Sequence, residues 1–511
     1  MANSNYSNIL KKSYSNQTAL ARKKIDGNST LGEILHLPHA MISLWSIFEV
    51  VLAIHIFPSS DRSRSYFAVR KVAYLVRMFF KKIGQRKNTP KKNTDIPSGR
   101  KIYFLGFTQY LAEENFNLIF QKLLCDGVYA PIMITDDICK HDSVKNSVLN
   151  ITELKTKEIQ EQTSNVRRDI KGVLLRLRSV VKSSRPKDDL LLKIIPFIAL
   201  RALYEIAFLI SCASYLLKKN PPAALVSVDV ADPRTRVFTL MANKLNIPVI
   251  QLQAGPIDDQ CIEWKFCSDD MILTHGELGK SAIRSHGVSK EKIFAVGSSK
   301  HERLVSLNRN NLVDFRGRYQ LKKESTVIVL LSTYLGLFST SPDLKIQSEI
   351  FFEMYEALLR SIGKRDNLTL IIKPHVLDAK KKRRSKLEEG KNVLFANSDE
   401  DTQILVASAD AVVSFGSTAT IDAFILGKPT AFLSFENWMG TDHLNSTFGE
   451  QYLLKGANEL ELFLDSLEHK RETNLEVDVN PHEAYLSEVT TNKGVGSVDR
   501  IVAKLYEIAN V

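Results

Sequence analysis

Residues 408–433 constrain the fold of this chain more than any other stretch. They read Ser-Ala-Asp-Ala-Val-Val-Ser-Phe-Gly-Ser-Thr-Ala-Thr-Ile-Asp-Ala-Phe-Ile-Leu-Gly-Lys-Pro-Thr-Ala-Phe-Leu. A short β-prone run, Ala411 to Ser414, meets a glycine turn at Gly416. Ser417 and Thr418 then open a helix in which Ile421, Phe424 and Ile425 recur at helical spacing. Gly427 stops that helix, and a second strand follows Pro429, from Thr430 to Leu433. A strand–glycine–Ser/Thr–helix junction aims backbone N–H groups and a positive helix end at one point, which suits a phosphate. Asp422, four residues beyond Thr418, could take the hydroxyls of a ribose. An ordinary β-α-β crossover with Ser417 as helix cap explains the same residues, and on this stretch alone both readings stand.

The neighbouring residues narrow the choice. Leu370-Ile-Ile-Lys-Pro-His375 reads as a strand ending in a Lys-Pro-His turn, and a solvated basic run follows from Lys380 to Arg384. Asn392-Val-Leu-Phe comes next, then a helix between Asp401 and Asp410 that leads into the central strand. This succession resembles the donor-binding half of GT-B transferases that build bacterial surface polysaccharides. The closest patterns are those of the CDP-glycerol glycerophosphotransferases and the capsule or lipopolysaccharide glycosyltransferases. In that group a Lys-Pro-His-Pro turn and a Ser-Ser/Thr…Asp/Glu…Gly-Lys-Pro segment hold the nucleotide diphosphate. The matching positions here are Lys373, Pro374 and His375, then Ser417, Thr418, Asp422, Gly427, Lys428 and Pro429. Val376 replaces the second proline of the first motif, a departure that bears on glycerophosphate transfer and not on the fold. The resemblance implies donor contacts from Lys373, His375, Gly416, Ser417, Thr418 and Asp422, with His375 also catalytic. Ser332 and Thr333, at the end of the strand starting at Thr326, add hydroxyls for a donor phosphate.

The preceding half reads as a second doubly wound domain. Strands are expected at Lys101–Leu105, Ala130–Thr135, Ala224–Asp229, Pro248–Gln253, Asp270–Gly276 and Ile293–Gly297, with a helical pattern from about Cys139 to Lys219. Transferases of the group above usually carry Gln-x-x-His-Gly or Gln-His-Gly after the fourth of these strands, and the histidine is a suspected base. Here the residues are Gln253-Ala254-Gly255. The carboxylates left nearby are Asp229, Asp232, Asp258, Asp259 and Glu263, and Asp258 and Asp259 rank first as bases for lying just past the strand end. His275 reads equally as a cleft residue or a structural turn histidine. Gly297-Ser-Ser-Lys-His-Glu302 resembles the segment that closes the N-terminal domain in the same group. By the same resemblance the last helix, within 494–511, packs back on that domain. Asp399-Glu-Asp401 reads as a helix cap rather than a metal site, so no metal is expected.

Composition decides what the N-terminal region does. The chain has a net charge of +12 over 511 residues, which calls for an acidic partner. Positions 62–92 carry Lys or Arg eleven times and no acidic residue, interleaved with Phe67, Val69, Val72, Leu75, Val76, Phe79 and Phe80. That is the pattern of an interfacial anchor on anionic lipid, with a domain-packing helix as the plain alternative. The apolar run 37–58 contains Glu49 and is bounded by prolines, so it reads as buried or interfacial rather than spanning. Arg167, Arg168, Lys171, Arg176, Arg178 and Lys182 form another basic face. The five cysteines are scattered without a Cys-x-x-Cys pair, which fits a reducing cytosol. No signal peptide, P-loop or Gly-x-Gly-x-x-Gly fingerprint is read, and no nucleic-acid module.

The reading is an α/β protein with two Rossmann-like domains facing a cleft. Residues 1–99 form a helical, basic, membrane-associating region and linker. An N-terminal acceptor domain spans 100–304, with a helical insertion at about 140–220; 305–323 cross between domains, and 324–511 form the donor-nucleotide domain. The resemblance implies transfer of a sugar or polyol phosphate from a nucleotide-activated donor to a glycan or lipid-linked acceptor, without a cofactor and on the inner face of the cell membrane. A sugar-nucleotide 2-epimerase of the same fold, or a non-catalytic glycan-binding scaffold, are the competing readings.

Overall fold

The computed structural model describes residues 36–37, 42–43, 46–48, 99–136, 147–154, 156–183, 201–257, 261–307, 315–322, 324–332, 342–374, 392–397, 400–438, 441–472 and 482–510. Seven strands form the first sheet: β1 Lys101–Leu105, β2 Ala130–Thr135, β3 Val148–Asn150, β4 Ala224–Ser227, β5 Val249–Leu252, β6 Met271–Thr274 and β7 Ile293–Ala295. Their order is β3-β2-β1-β4-β5-β6-β7, and every neighbouring pair is parallel. The second sheet holds β8 Thr326–Leu331, β9 Leu368–Lys373, β10 Val393–Phe395, β11 Ala411–Ser414, β12 Thr430–Leu433 and β13 Leu453–Leu454. Its order is β10-β9-β8-β11-β12-β13, again all parallel.

Parallel sheets of this kind are covered on both faces, so their strands alternate between two buried sides. In β1, Ile102 and Phe104 face one layer while Tyr103 and Leu105 face the other. The first layer comprises α1 (Gln109–Asp126) and α13 (Ser497–Ala509), through Phe116, Phe120, Ile501 and Leu505. The second comprises α2 (Lys157–Ser183), α3 (Ala207–Lys219) and α4 (Pro233–Lys244), through Ile170, Leu216 and Phe238. The terminal helix therefore completes the first domain after the chain has built the second. Tyr506 reinforces it by donating to Asp126 at 3.0 Å, and Glu302 accepts from the Val498 amide at 2.6 Å. The second sheet is covered by α7 (Pro342–Gly363) and α11 (Ala457–Glu472) on one face. On the other lie α8 (Thr402–Ser408) and part of α9 (Thr420–Ile425).

Local chemistry fixes several boundaries. Asp232 accepts from the Arg234 amide and Pro233 follows it, so α4 starts with a capping carboxylate and a proline in the first turn. Gly127 ends α1 in the left-handed region at φ 67°, its amide reaching Leu123 O. The region expected to be helical from Cys139 to Lys219 is interrupted by strand β3, which pairs at the sheet edge through Met133, Ile134 and Thr135. Three residues with one buried side chain leave too short a pattern to separate a strand from a helix. The 62–92 segment and most of 37–58 lie outside the described residues; where 1–99 is described, the expected helix is preceded by a short antiparallel strand pair, His36–Leu37 with Ile42–Ser43, and Leu37, Ile47 and Phe48 are buried in the core of the first domain. Among the described residues, no helix is long and apolar enough to cross a membrane.

Candidate functional site

In each of the two large sheets the strand order reverses once, at β1 beside β4 in the first and β8 beside β11 in the second. Open parallel sheets bind ligands outside the carboxyl ends of their strands at such a reversal. In the second domain the reversal brings together three of the sequence-derived positions. Ser332 follows β8 and is 8% exposed, Lys373 ends β9, and the turn 415–418 follows β11, which ends at Ser414. The Ser332 amide donates to Lys373 O at 3.2 Å, and Lys373 Nζ reaches Asn397 O at 3.1 Å. Thr333 and His375 lie outside the described residues.

The turn after β11 is more self-contained than its sequence implied. The amides of Gly416 and Ser417 donate to Ser414 Oγ at 3.1 and 2.9 Å, and the Ala419 amide donates to Ser417 Oγ at 3.3 Å. Helix α9 begins only at Thr420, after a turn through Thr418 and Ala419, and not at Ser417. Two hydroxyls thus take three of the amides expected to face a phosphate. Thr418 stays exposed at the tip. Across the cleft from it stands Gly255, just past β5: a Cβ there would lie 3.5 Å from Thr418 Cγ2. The carboxyl ends of both sheets therefore face one another. Gly427, Lys428 and Pro429 stand at the other end of α9, before β12, where Lys428 O meets His482 Nε2 at 3.0 Å.

Asp422 does not open into the cleft. It is fully buried, no well-aligned hydrogen bond reaches its carboxylate oxygens although the Gln403 side chain lies close enough to favour the charge, and Oδ2 lies 3.9 Å from Lys300 Nζ. Lys300 belongs to α6 (Ser299–Val305) of the first domain and also pairs with Glu114 of α1 at 3.1 Å. Burial raises the Asp422 carboxyl to about 6 against the pull of Lys300. Burial also acts to lower Lys300, but the Asp422 and Glu114 carboxylates hold it above its ordinary value. Two more bonds span the same contact: Gln403 Nε2 donates to Lys300 O at 2.8 Å, and Arg303 pairs with Asp401. Asp401 also caps α8 by accepting from the Gln403 and Ile404 amides; Asp399 lies outside the described residues.

A carboxyl raised above its unfolded value takes up a proton on folding between the two. Asp422 therefore adds stability as pH falls from about 6 towards 3.8 and withholds it above. In Asp422→Asn that contribution, about 3 kcal/mol at most, should vanish. Thermal unfolding against pH should show wild type gaining on the variant below pH 6; parallel curves would contradict the buried carboxylate.

In the first domain, Asp258 and Asp259 lie outside the described residues. Asp229, at the reversal beside β4, accepts from Thr108 Oγ1 at 2.6 Å and from the Ala231 and Asp232 amides. Burial and Asp232 raise its carboxyl, yet these three bonds make it a brace for the loop. Gln253 acts similarly at the end of β5: its Oε1 accepts from the His275 amide at 2.8 Å, and its Nε2 donates to Gly255 O at 2.7 Å. His275 is a buried turn residue whose ring Nε2 sits 2.8 Å from Gln253 O. A carbonyl only accepts, so the ring proton is on Nε2. Burial lowers this histidine to about 4, and the ring packs edge-on against His301 at 5.1 Å. The sequence pointed to Asp422, as a donor contact, and to Lys300, within the Gly297–Glu302 segment, but nothing in it paired them with each other or with Glu114.

Residues 267–439 match the family described as CDP-glycerol:poly(glycerophosphate) glycerophosphotransferase. The matched segment contains both the Lys373-Pro-His375 turn and the Ser414–Asp422 junction. It bears out the resemblance read from those motifs and supports a transferase of the polyol-phosphate type. No curated protein matches the chain. Similar solved structures include a putative UDP-N-acetylglucosamine 2-epimerase from Listeria monocytogenes, 11% identical, covering 81% of this chain and 98% of that one with a TM-score of 0.49. The Neisseria meningitidis UDP-GlcNAc 2-epimerase bound to UDP-GlcNAc is 12% identical, with 80% and 100% coverage and a TM-score of 0.49. The S. aureus MnaA–UDP structure is 13% identical, with 80% and 97% coverage and a TM-score of 0.48. The GT-B assignment rests on the two sheets themselves.

Proposed function

We propose that the chain transfers a polyol phosphate, or a sugar, from a nucleotide-activated donor to a growing cell-surface polymer of the teichoic-acid, capsule or lipopolysaccharide kind. The observation that carries this reading is the grouping of Ser332, Lys373 and the Gly416–Thr418 turn at the reversal of the second sheet, opposite Gly255, within a segment that matches a glycerophosphotransferase family. The acceptor hydroxyl oxygen bonds to the donor phosphorus, or to the anomeric carbon of a sugar. The bond to the departing nucleotide breaks, and a carboxylate of the first domain, Asp258 or Asp259, takes the proton. Lys373, His375 and Thr418 meet the negative charge that gathers on the leaving phosphate. Work on a lipid-linked polymer places the protein peripherally on the inner face of the cell membrane.

Nucleotide release should be followed with CDP-glycerol and with UDP-, GDP- and dTDP-sugars, with and without a glycan or lipid-linked acceptor. Release that needs acceptor supports transfer, and His375→Ala should lower it by roughly 10²–10⁴-fold. An epimerised sugar formed without acceptor would identify an epimerase. Polymer binding without any nucleotide turnover would identify a scaffold. Full turnover in His375→Ala would remove that residue from the site.

A further inference from the structure

The outward face of α2 has a composition that the transfer reaction leaves unused. This helix runs for 27 residues, Lys157–Ser183, which is about 40 Å. Ile159, Val166, Ile170, Val173 and Leu177 bury one side in the core of the first domain. A helix turns 100° per residue, which sets Arg168, Lys171, Gly172 and Leu175 on the opposite side, and all are exposed. Leu175 is 66% exposed, near the middle of that face, and Arg176 stands exposed beside it. Lys157 pairs with Glu161 only in the first turns. From Ser164 to Ser179, among the described side chains, the fully exposed positions carry no acidic residue, and Asp169 on the flank is half-buried.

Arg168 and Lys171 share the outward side with Leu175, and Arg176 flanks it, so the charge on this part of the helix is of one sign around an apolar tip. Headgroups of anionic lipid satisfy both parts: phosphates pair with the cations, and the leucine enters the acyl boundary. We propose that this face of α2 docks the enzyme on an anionic bilayer, with Arg168, Lys171 and Arg176 as headgroup contacts and Leu175 as the inserted side chain. The proposal deepens the membrane part of the function above and names a surface outside 62–92. The charges are on the protein and complementary to one lipid class, so zwitterionic lipid should bind weakly.

The full chain should be sedimented with vesicles of phosphatidylcholine alone and of phosphatidylcholine mixed with phosphatidylglycerol, at low and raised salt. Wild type should bind the anionic vesicles only, and salt should weaken binding. Reversing Arg168, Lys171 and Arg176 to Glu should lower the partition on the order of 100-fold, and Leu175→Ala several-fold, with melting temperature and nucleotide binding unchanged. Intact nucleotide binding separates a failed docking surface from a failed donor site. Unaltered vesicle binding in the triple variant would overturn the proposal and leave docking to other residues. So would equal binding to zwitterionic vesicles, or displacement from anionic vesicles by duplex nucleic acid at lower charge concentration.

Discussion

Lys300→Ala should destabilise the folded chain by about 3–5 kcal/mol, the cost of removing one partner from a buried ion pair. The Lys300 side chain is 12% exposed and lies between Glu114 Oε2 at 3.1 Å and Asp422 Oδ2 at 3.9 Å. Besides Lys300, only the Gln403 side chain favours the Asp422 charge, and its amide is already engaged with Lys300 O, so most of that charge would remain in the interior uncompensated. Its carboxyl would rise further and take a proton. The loss should therefore be largest above pH 6 and shrink below it. Lys300→Arg should recover part of the loss by keeping the charge. Urea unfolding of the two variants on both sides of that pH tests this. A change within about 0.5 kcal/mol, typical of neutral surface substitutions, would mean that the pair does not hold the domains together.

Gly416→Val should weaken donor binding and, by misplacing the donor by an ångström or so, lower transfer at least about 100-fold. Gly416 sits at φ 113°, where a β-branched residue is strained. A Cβ there would also stand 3.1 Å from Leu444 Cδ2. The backbone must shift, and the shift acts on the turn that Ser414 Oγ holds through the Gly416 and Ser417 amides. Leu444 is buried and can give only slightly. Nucleotide titration of a variant that still unfolds cooperatively separates misplacement from global collapse. Wild-type affinity in Gly416→Val would take this turn out of the donor site.

The fold was legible because the two large sheets are parallel and buried on two faces, which leaves short apolar strands such as Ala411–Ser414 and Thr326–Leu331 between helical segments. Edge strands β3 and β13 fall outside that signal, having three and two residues. The Ser332, Lys373 and Gly416 positions were readable because strand ends mark the ligand edge of such a sheet. Asp422 shows the limit. Its spacing from Thr418 fits a ribose ligand, but its burial against Lys300 depends on how two domains meet, and no local pattern encodes that. Glu114, exposed on α1 and far from both in sequence, carried no signal at all. The Gly416 and Ser417 amides were expected to be free; Ser414, which satisfies them, is also the last residue of a strand and reads only as that.

The most direct test of the central claim is a thermal-shift screen of the full chain against CMP, CDP, UDP, GDP and dTDP, with and without magnesium. Binding to the folded state raises its stability by mass action. A selective rise with one nucleotide, lost in Gly416→Val, is the expected result. No rise with any nucleotide in the wild-type protein would contradict a donor site at the reversal of the second sheet.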